Sequence, residues 1–127
     1  MKQVNRVSPI QNKVSGIFIP VQNVKEAKDW YCRILGIQEQ GNIENGHLYV
    51  LPMDGVDVIL DEMPSWKKQD SDRLPQYQTP AFMFKTGDIY DAFEFMKELG
   101  VELVTDIENY LWFAFKDPDG NLLMVCQ

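Results

Sequence analysis

The stretch Trp112-Phe-Ala-Phe-Lys-Asp-Pro-Asp-Gly-Asn-Leu-Leu-Met-Val-Cys126 reads as two β-strands joined by a tight turn. Asp117-Pro118-Asp119-Gly120 supplies the turn: proline fixes φ, the aspartates bond back to the backbone, and glycine accepts a positive φ. Strand side chains alternate with period two. Phe113 and Phe115 therefore oppose Trp112, Ala114 and Lys116, while Leu123 and Val125 oppose Leu122, Met124 and Cys126. A hairpin with one buried and one open face follows.

Working outward, Asp88 caps a helix carrying Ile89, Ala92, Phe93, Met96 and Leu99, and Gly100 stops it. Strands are expected over 81–86 and 101–105 on either side. The same order stands earlier in the chain. Residues 14–21 alternate as a strand, Asn23 and Glu26 form a capping-box pattern, and Val24, Ala27, Tyr31, Ile34 and Leu35 make a helical stripe ended by Gly36. Three strands are then expected: 37–43, then 47–52 after the Asn45-Gly46 turn, then 56–61 after Asp54-Gly55. Val24 and Ile89 are 89 − 24 = 65 positions apart, as are the Asp-Gly turns at 54 and 119, which marks an internal duplication. The expected organisation is one domain, 1–127. It has an arm over 1–13, a first βαβββ module over 14–62, a connecting loop over 63–80 and a second module over 81–127. Neither half could bury much core alone.

The terminal strand, DPDGN and closing strand, taken with Pro20-Val-Gln-Asn-Val-Lys-Glu-Ala-Lys-Asp-Trp-Tyr-Cys-Arg-Ile-Leu-Gly36, resemble the vicinal-oxygen-chelate superfamily. That superfamily groups glyoxalases, extradiol dioxygenases, fosfomycin-resistance enzymes and bleomycin-binding proteins, and the resemblance covers almost the whole chain. It implies an α+β fold in which two tandem βαβββ modules form a curled, cup-like mixed sheet with helices outside. It also implies a divalent metal held by His and Glu or Gln in module one, and by His and Glu in module two. Carried onto this chain, those positions fall on Gly16, Ile59, Ala81 and Met124, with Val125 the alternative for the last. None supplies the nitrogen or oxygen such an ion needs. His47, the single histidine, reads as an exposed or hydrogen-bonded strand residue rather than a base. No metal and no cofactor are expected.

Bulk properties narrow the partners. Nineteen acidic against twelve basic residues give a net charge of −7, which repels phosphate backbones and anionic membranes. The acidity serves solubility or suits a cationic ligand. No apolar run approaches the roughly 18 residues of a membrane span, and the first residues lack a signal-peptide core, so a cytoplasmic protein is expected. Cys32 and Cys126 show no metal or redox spacing and read as reduced thiols. Ser15, Ser65 and Ser71 show no nucleophile elbow. Asp57 and Asp61 share one strand face and read either as an acid–base pair or as solvated carboxylates.

Alternation places apolar side chains where the family's ligands would stand. The candidate ligand-binding residues are Phe18, Asp57, Ile59, Asp61, Trp66, Met83, Trp112, Leu122 and Met124, with Asp57 and Asp61 facing a cationic group and Trp66 and Trp112 stacking. The expected function is metal-independent binding of a small molecule, drug or metabolite, in the manner of the bleomycin-binding branch, by a homodimer. One alternative is a metal-dependent lyase or dioxygenase with non-standard ligands. Another is a dimeric interaction module without a ligand.

Overall fold

The structure is a computed structural model, and it describes residues 6–66 and 75–127. The elements in chain order are β1 (Gly16–Pro20), α1 (Val24–Leu35), β2 (Leu48–Leu51), β3 (Asp57–Asp61), a 3-10 turn (Pro64–Trp66), β4 (Met83–Lys85), α2 (Ile89–Glu98), β5 (Glu102–Leu103), β6 (Trp112–Lys116) and β7 (Leu122–Cys126). They make two mixed sheets, ordered β1-β3-β2 and β4-β7-β6-β5. In each sheet the first strand runs parallel to the last, which is antiparallel to the strand before it. The duplication thus holds in three dimensions.

Both helices start and stop where the sequence places them. Asn23 accepts the Glu26 N–H, Gly36 takes a left-handed φ of 64°, and Asp88 accepts the N–H groups of Tyr90 and Asp91. The α1 stripe Val24, Ala27, Tyr31 and Ile34 is buried; on α2, Ile89 and Met96 are. They pack against the sheet faces carrying Ile19, Leu60, Phe113, Phe115, Leu123 and Val125 in one continuous core. Phe93 and Phe113 meet edge to face with ring centroids 5.2 Å apart. Among the described residues no helix is long and apolar enough to cross a membrane.

The first module lacks one expected strand. Residues 37–43 form none, because Gln38-Glu39-Gln40-Gly41-Asn42 has no apolar alternation and Gly41 sits at φ 73°. Two side-chain hydrogen bonds hold this segment instead: the Gln40 N–H donates to Tyr49 Oη at 3.0 Å, and that hydroxyl donates to the Gln40 carbonyl at 2.7 Å. The expected strands over 81–86 and 101–105 shorten to β4 and β5. Of the connector, 67–74 lies outside the described residues.

The duplicated hairpins differ at one telling position. Asn45 and Gly46 occupy left-handed conformations, φ 52° and 75°, and Asn109 and Tyr110 do the same at 52° and 59°. A non-glycine residue there costs roughly 1–2 kcal/mol, less the roughly 0.5–1 kcal/mol of entropy that glycine surrenders on folding. Tyr110 is 80% exposed and forfeits little packing on removal. Tyr110→Gly is expected to raise the melting temperature by about 2–5 °C in a thermal unfolding scan.

Candidate functional site

Strand register sorts the candidate residues by face. Gly16 pairs with Asp57, Phe18 with Ile59 and Pro20 with Asp61, while Leu48 and Val50 of β2 stand against Asp61 and Ile59. All therefore project from the sheet face that α1 does not cover. On the second sheet Met83 and Ala114 flank Met124, Trp112 stands against Cys126, and Lys116 against Leu122. The helix-covered faces are closed, yet the opposite faces leave apolar area in the open. Phe18 is 47% and Met83 56% exposed, Val50 is also exposed, and Ile59, Trp112, Leu122 and Met124 are half-buried. Trp66, 75% exposed in the 3-10 turn, has no ring contact among the described residues. No described contact joins it to either face.

The site does not fit the divalent metal that the fold implies. A Cβ on Gly16 would stand 3.2 Å from Ile59 Cδ1, so the isoleucine occupies the space beside that glycine. Ala81 lies outside β4, and Met124 offers only a thioether. Among the described residues no group of three His, Cys, Asp or Glu could hold a metal ion.

Asp57 and Asp61, at the two ends of β3 with Ile59 between them on one face, have unlike surroundings. Asp57 is exposed, whereas Asp61 is buried. Asp61 Oδ1 lies 2.8 Å from His47 Nδ1 and accepts the Met63 N–H at 2.8 Å. Met63 holds a φ of 53°, Glu62 donates its N–H to the His47 carbonyl, and Glu62 Oε2 accepts the Val24 N–H at the start of α1. The spacing of His47 and Asp61 gave no motif to read. Their pairing needs the β2–β3 register, which sets Leu48 opposite Asp61.

A buried polar cluster ties the two halves together beneath these faces. Asp117 Oδ1 accepts the N–H groups of Asp119 and Asn121, and Oδ2 accepts the Tyr31 hydroxyl at 2.5 Å and Asn121 Nδ2 at 2.9 Å. Asn121 Nδ2 also donates to the Pro20 carbonyl, and its Oδ1 accepts the Tyr77 N–H. Burial, then the Asp117 carboxylate, pushes the Tyr31 phenol well above its ordinary value. Tyr77 is fixed further: its carbonyl accepts the Leu122 N–H and its hydroxyl donates to the Phe18 carbonyl. Residues 75–78 thereby run as a strap from β7 to β1.

Comparison with known proteins agrees with this architecture. The glyoxalase/bleomycin resistance protein/dioxygenase superfamily matches residues 12–125. No curated protein matches the chain. A member of that superfamily from Sphaerobacter thermophilus is 25% identical, with a TM-score of 0.65 over 89% of this chain and 94% of that one. TnmS3, an antibiotic-binding protein from a Streptomyces species, is 22% identical, with a TM-score of 0.65 over 95% of this chain and 98% of that one. A lactoylglutathione lyase from Agrobacterium tumefaciens is 14% identical, with a TM-score of 0.70 over 94% and 95%. The last two are likenesses of fold.

Proposed function

Given that the chain belongs to the glyoxalase/bleomycin resistance protein/dioxygenase superfamily, we propose that it binds a small, largely apolar molecule, drug or metabolite, without a metal. The observation that carries this is the pair of sheet faces that the helices leave uncovered. Where the family's fold implies ligating side chains, this chain has Gly16, Ile59, Ala81 and Met124, and around them Phe18, Val50 and Met83 are left open. Exposed aromatic and thioether groups grip flat apolar molecules without demanding one shape. Asp57 adds a carboxylate suited to a cationic substituent. TnmS3, an antibiotic-binding protein of the same fold, supports the same class of function. Trp112, Leu122 and Met124 complete the proposed surface. A homodimer would cover the remaining apolar area.

Proflavine, a planar aromatic cation, is a suitable probe, read by its own fluorescence and by thermal shift. Saturable binding unaffected by EDTA is expected. Phe18→Ala and Met83→Ala should each weaken it about five- to tenfold, the equivalent of roughly 1–1.4 kcal/mol for a lost ring or thioether contact. Binding or turnover that disappears on chelation and returns with a divalent ion would replace this function with a metal enzyme's.

A further inference from the structure

His47 and Asp61 form a pair that binding of an apolar molecule does not itself require. The imidazole is partly buried, with 29% of its side chain exposed against 10% for Asp61. Nδ1 meets Asp61 Oδ1 at 2.8 Å, and Nε2 has no hydrogen-bond partner among the described residues. A carboxylate only accepts, so Nδ1 must carry the proton shared with Asp61. In the neutral ring Nε2 is then a bare acceptor. The carboxylate cannot turn away to release it, because the same oxygen holds the Met63 N–H. The ring's own backbone is pinned as well, by the Glu62 N–H on the His47 carbonyl and by the His47 N–H on the Glu44 carbonyl.

Asp61 lies on the open face, two residues beyond Ile59, which stands beside Phe18. Two strand residues span about 6.6 Å. A fused bicyclic aromatic ring lying on Phe18, Ile59 and Val50 would carry a terminal substituent about that far. We propose that His47 Nε2 is the polar recognition atom of this surface, accepting a hydrogen bond from a phenolic or enolic hydroxyl of an aromatic ligand, and that Asp61 is the positioning residue which fixes the tautomer. The proposal rests on the open face being the ligand site, and it names the chemical class that face selects.

The chain has one histidine, so long-range proton–nitrogen NMR reports this ring alone. The neutral ring is expected in the Nδ1–H form. The probes are 2-naphthol and 2-methoxynaphthalene, which share a ring and differ in the hydroxyl proton. The naphthol should bind at least tenfold more tightly. Asp61→Ala takes the acceptor away from Nδ1, whereas Asp61→Asn can keep an amide oxygen on both the Nδ1–H and the Met63 N–H. Asp61→Ala should release the ring proton to Nε2 and cut the naphthol's advantage by about threefold or more, while Asp61→Asn keeps that advantage and the ether still binds both variants. His47→Phe should also erase the preference and leave the ether bound.

Equal binding of both probes by the wild type, or an unchanged naphthol preference in Asp61→Ala, overturns the recognition role and leaves the apolar surface standing. An Nε2–H ring in the wild type overturns it likewise. Failure of both probes to bind at saturating concentration removes the ligand surface, and the inference with it. Loss of stability in Asp61→Ala with no change in probe preference identifies the pair as a strand clamp only.

Discussion

Asp117→Ala is expected to destabilise the protein by about 4 kcal/mol, read as a fall in the urea midpoint at unchanged slope. Asp117 is 4% exposed and its two oxygens accept four hydrogen bonds. Bonds to a charged group contribute roughly 1.5–3 kcal/mol each, but they share one carboxylate, and their deletion costs do not add. The largest part comes from the Tyr31 hydroxyl, which is fully buried and would lose its acceptor. A double-mutant cycle with Tyr31→Phe isolates that part, and a coupling of roughly 1.5–3 kcal/mol is expected.

The same contact fixes a pH dependence. Burial and Asp117 raise the Tyr31 phenol well above the ordinary 10.0. A proton held more tightly in the folded than in the unfolded chain contributes stability fully below the unfolded value, and that contribution is lost as pH rises above it. Stability should therefore decline on the alkaline side of about pH 10, and Tyr31→Phe should flatten that limb. Parallel alkaline limbs in the two proteins would sever the link.

Asn121→Ala is the second large effect, about 3 kcal/mol. The side chain has no exposed surface, and it holds the Pro20 carbonyl, the Tyr77 N–H and Asp117 Oδ2 at 2.9 Å each. Alanine would strand a donor and an acceptor in the interior and loosen the strap from β7 to β1 together. Asn121→Asp should be at least as harmful near neutral pH, since it sets a second carboxylate against Asp117 and removes the donor to Pro20. Equilibrium unfolding of both variants is the check. An aspartate variant as stable as the wild type would show that these contacts are replaceable by water.

What the sequence revealed was whatever local chemistry settles. Asp117-Pro118-Asp119-Gly120 turns because of its own dihedral preferences, and Asn23, Gly36 and Asp88 bound their helices through contacts a few residues away. The alternation through Phe113, Phe115, Leu123 and Val125 located the helix-covered face, and all four are buried. Strand pairing is less local. Ile37 and Ile43 suggested a strand, but the polar run between them has nothing to bury, and the Tyr49 hydroxyl captures its backbone. The His47–Asp61 contact was out of reach for a related reason. It exists only in the register that sets Leu48 against Asp61, and an isolated histidine carries no mark of it. The role of Asn121 was hidden too, because its partners Pro20 and Tyr77 lie 101 and 44 positions away.

The absent strand over 37–43 also makes the two halves unequal in stiffness. In the second half β5 covers the flank of β6, and the cover continues through the Val104 N–H on the Ala114 carbonyl and the Ala114 N–H on Thr105 Oγ1. In the first, a single tyrosine oxygen does the work of a whole neighbouring strand. Solvent therefore has an easy entry along the flank of β2. Thermal fraying is expected to start there, and insertions should be better tolerated there than at the mirrored place in the later repeat.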